Sequence, residues 1–328
     1  MKLLELLVPL IILGTISLSD CSVGANTHPA DPGSPAAARH PLLSSRRESQ
    51  TFAGQQRLRP PTLRFSDVRL KTGVRLRYAT QGKPSGQPII LLHGYPDSSF
   101  SYSRVLPLLG SNFRIYVPDQ RGHGESERPA GGYEIPSLAA DVLAFMDAKG
   151  IKQAVIVGHS MGSFVAQHVA VKAPERVTRL VLVGSATTLR NDVTIELHKE
   201  IRAVRDPVPE KFIREFQEST VFQSVPKEFM DQIIKESLKL PARVLQAVIN
   251  GFLEPEAKAE LNKIRSPTLI IWGDKDSIFP RSEQDALIAA IPNATLKVYV
   301  ETGHCPNWER PEQIVKDIEE FMMQGGRR

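Results

Sequence analysis

The chain has 328 residues, of which 41% are hydrophobic and 23% are charged, and its formal net charge is +5 at pH 7. This composition excludes a disordered chain, and the length suffices for one large α/β domain or two small ones. The two cysteines, Cys21 and Cys305, exclude a disulfide-rich scaffold and a cysteine-rich zinc module. Whether the positive charge indicates a nucleic-acid partner depends on where it lies along the chain.

Residues 1–21 have the pattern of a secretory signal peptide. Lys2 and Glu5 precede an apolar run from Leu6 to Leu18, which is shorter than the roughly 20 residues of a membrane span. Pro9 and the polar stop after Leu18 argue against a buried helix or a membrane anchor. We therefore predict an exported protein, which in a bacterial host would be periplasmic, secreted or lipid-anchored to the envelope.

Cys21 ends a segment, Leu18-Ser19-Asp20-Cys21, that resembles a bacterial lipobox. In a lipobox the cysteine is lipidated and becomes the new N-terminus, which would anchor this protein to a membrane. Asp20 departs from the small residue that a lipobox has before its cysteine. A free exported form and a form anchored through lipidated Cys21 therefore both stay open.

Residues 22–60 are rich in Ser, Ala, Pro and Arg and lack apolar periodicity, which is typical of a flexible linker. They carry five arginines against one Asp and one Glu, a net charge of +3, while residues 1–21 carry −1. The remaining 268 residues therefore carry only +3, without a dense basic run. From this distribution we expect no nucleic-acid partner.

Residues 61–186 and 264–328 alternate strand and helix patterns, which predicts a mostly parallel α/β sheet with helices on both faces. Two runs of alternating polarity around Thr72-Gly73 predict an antiparallel hairpin, and six continuous apolar runs predict strands buried on both faces. The eight predicted strands are Leu63–Leu70, Val74–Ala79, Pro88–Leu92, Phe113–Val117, Ala154–Val157, Leu180–Val183, Thr268–Ile271 and Leu296–Val300.

Residues 187–263 interrupt this alternation. They contain no strand-like run but several helical patterns separated by prolines, so we predict a helical insertion between two strands of the sheet. Five phenylalanines give the insertion an apolar character. We expect most of them to pack inside it and one or two to face a cleft: Phe212, Phe216, Phe222, Phe229 and Phe252.

Ser160 is the predicted nucleophile. The strand Ala154–Val157 leads into Gly158-His159-Ser160-Met161-Gly162 and then into a helical pattern, which is the strand–turn–helix context of a G-x-S-x-G nucleophile elbow. The two glycines remove side chains that would collide in such a sharp turn. The turn therefore presents the Ser160 hydroxyl at the end of the sheet, beside a helix N-terminus that favours a developing negative charge.

His304 is the predicted general base, because it follows the last predicted strand and histidine titrates near neutral pH. Asp274 and Asp276 both follow the strand Thr268–Ile271 and are candidates to orient His304. We favour Asp276, since the chain must first leave the strand before a side chain reaches back, and expect Asp274 to cap the turn. Four other histidines fit structural positions in turns or on a helix: His93, His123, His159 and His168.

The oxyanion hole requires two backbone N–H donors. The N–H of Met161, directly after the nucleophile, is one candidate. The second candidate is the N–H of Tyr95, in the His93-Gly94-Tyr95-Pro96 loop that follows a predicted strand. Pro96 has no N–H and restrains the loop, so it cannot itself donate. None of these roles requires a metal or an organic cofactor.

These motifs together resemble the α/β-hydrolase superfamily over residues 62–324. The resemblance is carried by HGYPDSS at 93–99, DQRGHGES at 119–126, GHSMG at 158–162, GDKD at 273–276 and GHCPNWERPE at 303–312. It is strongest to the branch that includes epoxide hydrolases, haloacetate dehalogenases and small esterases. The resemblance implies that the 187–263 insertion is a helical cap over the active site. It also implies that Asp119, Arg121 and Ser126 form a structural turn.

Departures from that branch favour ester chemistry. Epoxide hydrolases and dehalogenases use an aspartate nucleophile, where this chain has Ser160. Epoxide hydrolases also use cap tyrosines, and residues 187–263 contain none; dehalogenases have a tryptophan beside the nucleophile, where Met161 stands here. We therefore predict a serine hydrolase that cleaves a carboxylic ester of a small apolar substrate through an acyl-enzyme.

Two other functions stay open. A lactonase or a carbon–carbon bond hydrolase of the same fold would use the same residues on another substrate. A non-catalytic ligand-binding protein of this fold would not need Ser160, Asp276 and His304 together. Cys305, beside His304, has no base of its own in the sequence and is expected to pack in the interior.

Overall fold

The structure is a computed structural model and describes residues 63–324. The predicted signal peptide, the linker and Cys21 lie outside the described residues. It remains a prediction that residues 61–186 and 264–328 form the core and that residues 187–263 form a cap.

Eight strands form one sheet in the order β1-β2-β4-β3-β5-β6-β7-β8. The pairs β1–β2 and β2–β4 are antiparallel and all other neighbours are parallel. The predicted α/β architecture is therefore confirmed, including the antiparallel hairpin at one edge. The strands are β1 Arg64–Arg69, β2 Arg75–Gly82, β3 Gln87–Leu92, β4 Phe113–Pro118, β5 Ala154–His159, β6 Val177–Val183, β7 Thr268–Gly273 and β8 Ala294–Tyr299.

Helices cover both faces of this sheet. They are α1 Ile135–Ala148, α2 Met161–Lys172, α3 Asp192–Ala203, α4 Glu210–Ser219, α5 Lys227–Ser237, α6 Ala242–Phe252, α7 Arg281–Ala290, α8 Pro306–Glu309 and α9 Pro311–Met323. Short 3₁₀ turns occupy Ser99–Tyr102, Pro174–Arg176, Pro255–Ala257 and Leu261–Lys263. In residues 63–324, no helix is both long enough and apolar enough to cross a bilayer.

The continuous apolar runs form strands because both faces of the sheet are covered. Successive side chains of a strand point to opposite faces, and β3 shows the result. Ile90 and Leu92 join one apolar cluster with Phe145 of α1, whereas Ile89 and Leu91 join another cluster with Ile318 of α9. The side chains of β3 therefore meet apolar neighbours on both faces of the sheet, as expected for a central parallel strand.

The helical insertion leaves the sheet after β6 and returns at β7, and these two strands are direct neighbours, with Leu180 paired to Thr268. It contains α3 to α6. Pro209, Pro226 and Pro241 occupy the N-cap positions of α4, α5 and α6, so the prolines that divide the sequence pattern also mark where helices begin. Phe216 of α4 and Phe252 of α6 line one pocket together with Ser160, so the insertion meets the elbow at the carboxyl end of β5.

Candidate active site

Ser160 lies in a strained turn between β5 and α2, with φ of 50° and ψ of −123°. Such a conformation is costly for a residue with a side chain and indicates a functional constraint. The flanking glycines make the turn feasible. A Cβ on Gly158 would lie 2.2 Å from the carbonyl oxygen of Gly162, and a Cβ on Gly162 would lie 2.3 Å from that of Leu92. Position 160 therefore has the geometry of a nucleophile elbow.

His304 and Asp276 form a buried pair. His304 Nδ1 lies 2.9 Å from Asp276 Oδ2, and the two side chains are 2% and 0% exposed. The other oxygen, Asp276 Oδ1, accepts from the backbone N–H groups of Ile278 at 2.8 Å and Phe279 at 3.0 Å. These two donors stabilise the carboxylate and fix its rotation, so that Oδ2 faces the imidazole.

The second ring nitrogen, His304 Nε2, is buried and makes no hydrogen bond within residues 63–324. It is therefore free of any competing donor that would block its use as a base. The Ser160 Oγ–His304 Nε2 hydrogen bond is not formed in this conformation, and such bonds often close only with substrate in place.

The carboxyl ends of three strands bring these residues together. Ser160 N donates to the carbonyl of Val183, the last residue of β6, and Gly184 N donates to Ile271 of β7. A Cβ on Gly184 would lie 3.1 Å from His304 Nδ1, so the ring packs directly against this backbone. The elbow after β5, the turn after β6 and the histidine loop after β8 therefore meet at one edge of the sheet.

The candidate oxyanion donors lie on both sides of Ser160. Met161 begins α2, so its N–H has no acceptor within the helix. The loop of Tyr95 passes close to the nucleophile, since a Cβ on Gly94 would lie 3.1 Å from Ser160 Cβ. The Tyr95–Pro96 peptide is cis, and the Tyr95 N–H takes no part in the hydrogen bonds found among the described residues. Both candidate donors thus flank the turn, and neither has an acceptor in the part of the chain that the structure describes.

Asp274 does not cap the turn after β7 as the sequence had suggested. Its Oδ1 is buried without a hydrogen bond among the described residues, and Lys275 is its ion-pair partner, at 4.0 Å. Asp276 instead performs both tasks, because one of its oxygens contacts His304 and the other accepts the two N–H groups of the turn. One carboxylate can serve both roles because it has two acceptor oxygens.

The neighbouring histidines are uncharged near neutral pH. Burial lowers the pKa of His93 to about 4 and the pKa values of His123 and His159 to about 3. His93 Nε2 accepts from Gln120 N at 3.0 Å and so holds the start of the Tyr95 loop. The ring centre of His159 lies 5.3 Å from that of His304, so the His159 ring packs against the catalytic candidate. These contacts fit structural roles.

Cys305 is buried and its Sγ lies 3.3 Å from Thr220 Oγ1, as a donor. Burial raises the pKa of this thiol well above its usual range, so the nucleophilic thiolate is disfavoured.

The side chains of the DQRGHGES turn make structural contacts. Asp119 accepts from the N–H groups of Ser99 and Glu125, and Arg121 pairs with the buried Asp141.

A narrow apolar pocket of about 40 Å³, open in part to solvent, has Ser160 in its lining. Phe216 of α4 and Phe252 of α6 line it, whereas Phe222 is 48% exposed and Phe229 stacks on Phe100. Two of the five insertion phenylalanines therefore face the cleft. The remaining lining comes from Tyr95, Leu189, Val193, Thr194, Leu197, Ser219, Ile249, Ile278 and Phe279.

Two buried carboxylates near the site have no local signal in the sequence. Asp97, at the end of the Tyr95 loop, accepts from Gln217 Nε2 at 3.0 Å, and burial raises its pKa to about 7. Glu309 accepts several backbone N–H groups around His304. Both residues belong to motifs noted above, but only their three-dimensional contacts reveal what they bind. Within residues 63–324, no cluster of three or more His, Cys, Asp or Glu side chains could hold a metal ion.

The comparisons with known proteins agree with this geometry at the level of the family. The family model for the alpha/beta hydrolase fold matches residues 87–311, which is more than half of the chain. The chain belongs to the α/β-hydrolase family.

Two relatives and one solved structure show the extent of this similarity. The uncharacterized hydrolase YugF of Bacillus subtilis is 30% identical over 262 residues, covering 76% of this chain and 95% of its own. Lipase 1 of Psychrobacter immobilis is 26% identical over 275 residues, covering 79% and 84%. The structure of a thermophilic esterase from Thermogutta terrifontis superimposes with a TM-score of 0.70 at 26% identity, covering 79% of this chain and 98% of that one.

Proposed function

We propose that this protein is a serine hydrolase that cleaves carboxylic esters of small apolar substrates. The observation that carries the proposal is the buried Asp276–His304 pair at 2.9 Å, whose remaining nitrogen Nε2 has no hydrogen-bond partner among residues 63–324. A relative named as a lipase and a similar structure named as an esterase support an ester-cleaving activity.

In the proposed reaction, Ser160 Oγ attacks the ester carbonyl carbon while His304 Nε2 takes its proton. Asp276 stabilises the resulting imidazolium, and the N–H groups of Met161 and Tyr95 bind the oxyanion. His304 then gives the proton to the leaving alcohol as the C–O bond breaks, leaving an acyl group on Ser160. Water, deprotonated by His304, attacks this ester, releases the acid and restores the serine.

The pocket supports an apolar acyl or alcohol group. Phe216 and Phe252 project from the helical insertion toward Ser160, so we propose that the insertion acts as a cap that selects substrate. Thr194 and Ser219 are the polar members of the insertion in the lining, and neither carries charge. A charged acyl group would be desolvated there without a counter-ion, which is unfavourable.

The test is hydrolysis of p-nitrophenyl butyrate by the wild type and by Ser160→Ala, with Ser137→Ala as the matched control. Ser137 is a serine of α1 outside the pocket lining, and its Oγ donates to Glu134 Oε2 at 3.2 Å. We expect Ser160→Ala to lose the activity and to escape labelling by a fluorophosphonate, while Ser137→Ala retains both. Equal activity in Ser160→Ala and wild type would refute the proposal.

The same purified protein separates the alternatives. Faster turnover of lactones than of matched open-chain esters would make it a lactonase, and turnover of vinylogous diketones would make it a carbon–carbon bond hydrolase. Tight binding of an ester without turnover would instead indicate a ligand-binding protein.

We also propose export, which rests on residues 1–21 alone. Mass spectrometry of the mature N-terminus after expression in a bacterial host distinguishes the outcomes: cleavage near residue 21, a diacylglyceryl group on Cys21, or an intact leader that would contradict export. Cys21→Ser should abolish lipidation without affecting the ester activity.

A further inference from the structure

Glu309 is a buried carboxylate that joins the helical insertion to the loop of His304. Its side chain accepts from Gly303 N through Oε1 at 2.9 Å and through Oε2 at 3.0 Å. Oε2 also accepts from Phe222 N at 3.1 Å and Gln223 N at 2.7 Å. Gly303 directly precedes the catalytic candidate, whereas Phe222 and Gln223 lie between α4 and α5 of the insertion. One side chain therefore binds both segments at once.

The same stretch of the insertion, residues 219–223, makes further contacts with the catalytic loops; we call it the clasp segment. The carbonyl of Thr220 accepts from His304 N at 2.8 Å, and Thr220 Oγ1 accepts from the Cys305 thiol. Ser277 Oγ, next to Asp276, donates to the carbonyl of Ser219 at 3.3 Å. The clasp segment thus contacts both the loop that carries His304 and the loop that carries Asp276.

The contact between the two segments is too close for any side chain at position 303. A Cβ on Gly303 would lie 2.5 Å from Phe222 N and 2.8 Å from the Thr220 carbonyl oxygen. Real Cβ atoms do not approach backbone this closely, so glycine is required for the two segments to touch. The Glu309 carboxylate then supplies acceptors for N–H groups that this close approach would otherwise bury unpaired.

We propose that Glu309 is a positioning residue, which holds the clasp segment against the His304 loop and thereby sets the direction of His304 Nε2. The proposal rests on the proposed function, since it requires His304 to act as a base. Asp276 binds one ring nitrogen and Gly184 packs against the ring, so the direction of Nε2 also depends on where the backbone of residue 304 lies. Thr220 of the insertion and Glu309 of α8 hold that backbone, through His304 N and Gly303 N.

The test is Glu309→Gln, compared with Asp317→Asn as a matched control. The glutamine keeps the shape, and its amide oxygen must take the place of Oε2, which accepts from three N–H groups. Its NH₂ group then replaces Oε1 and faces the N–H of Gly303, from which it cannot accept. Asp317 is also a buried carboxylate with hydrogen bonds, to Tyr299 and Lys297, but it lies on α9 away from the site. Both variants replace a buried carboxylate by an amide, and only Glu309→Gln does so against the backbone that directly precedes His304.

We expect Glu309→Gln to lower kcat for p-nitrophenyl butyrate, and the rate of fluorophosphonate labelling of Ser160, by about 10- to 100-fold, as for a small displacement of a catalytic group. KM should stay within about twofold, because Glu309 does not line the substrate pocket. Asp317→Asn should melt at a lower temperature and keep both rates. A purely structural role for Glu309 predicts the same pattern in both variants.

Labelling and kcat within about twofold of wild type in folded Glu309→Gln would overturn the inference. If that variant does not fold, Glu309→Asp decides: it keeps the charge on a shorter side chain, so a lower labelling rate at unchanged KM supports positioning and an unchanged rate overturns it. Failure of the proposed function looks different, since the wild type itself would then show no hydrolysis dependent on Ser160.

Discussion

Replacement of Asp276 by asparagine tests the catalytic pair most directly, because the surrounding structure dictates how the amide must sit. The backbone N–H groups of Ile278 and Phe279 both point at Oδ1. The amide oxygen must take that position, since an NH₂ group there would face two donors. The NH₂ group therefore faces His304 Nδ1, where Oδ2 lies in the wild type.

This arrangement forces His304 into the wrong tautomer. With an NH₂ donor in front of it, Nδ1 becomes an acceptor and the ring proton moves to Nε2. A protonated Nε2 cannot accept the proton of Ser160, so general-base catalysis is lost although the side chains keep their places. In serine proteases the same change lowers kcat by about 10⁴-fold, which corresponds to ~5.4 kcal/mol of transition-state stabilisation.

The measurement is kcat for p-nitrophenyl butyrate on protein whose folding is checked by thermal denaturation. Asp274→Asn is the matched control, because that carboxylate lies two residues away and does not bind His304. We expect kcat to fall by about 10³- to 10⁴-fold in Asp276→Asn and by less than about twofold in Asp274→Asn. A folded Asp276→Asn with nearly full activity would refute the role of the pair.

Three further predictions concern the loop of Tyr95 and the pocket. Tyr95→Phe removes the hydrogen bond from the phenol to the Leu245 carbonyl, at 3.2 Å, and should cost about 1 kcal/mol of unfolding free energy while kcat stays unchanged; a large loss of kcat would contradict a backbone oxyanion role. Phe252→Ala should raise the ratio of kcat/KM for octanoate over butyrate esters by about tenfold, whereas Phe229→Ala, outside the pocket, should leave it unchanged. Burial raises the pKa of Asp97 from 3.8 to about 7, so the folded protein keeps a proton that the unfolded chain has lost and stability falls as pH rises through this range. In urea unfolding, Asp97→Asn should therefore gain stability relative to wild type between pH 4 and 8, by up to ~4 kcal/mol, and a pH-independent difference would contradict this.

The sequence was sufficient for the strands because their environment leaves a local mark. Ile89 to Leu92 are all apolar because both faces of β3 are covered, and Gly158 is required by contacts within the elbow itself. The meeting of the serine, the acid and the histidine at one edge also follows from chain direction, because the carboxyl ends of parallel strands lie on the same side of a sheet. These features depend on neighbours that are close in the sequence or on the period of the strand.

The contacts of the insertion could not be predicted from local sequence. Glu309 meets Phe222, which is 87 residues away, and Asp97 meets Gln217, which is 120 residues away. Neither carboxylate differs in its local pattern from an exposed one. The division of the five insertion phenylalanines into lining, packing and exposed positions depends on how the helices pack on the core. The role expected for Asp274 was wrong because Asp276 has enough acceptors to serve the turn and the histidine together.

The insertion leaves and re-enters the sheet at two adjacent strands, β6 and β7. Such a connection makes it an obvious module to exchange between relatives when a new substrate range is wanted, because a graft of any length can begin and end there without disturbing the strands. The clasp segment sets a condition on that engineering. A donor module must supply its own carbonyl for His304 N and its own N–H groups for Glu309. Without them, we expect the chimera to bind new substrates while His304 no longer points correctly toward Ser160. Chimeras chosen by pocket shape alone should therefore bind well and turn over slowly, and restoring residues 219–223 should recover the rate.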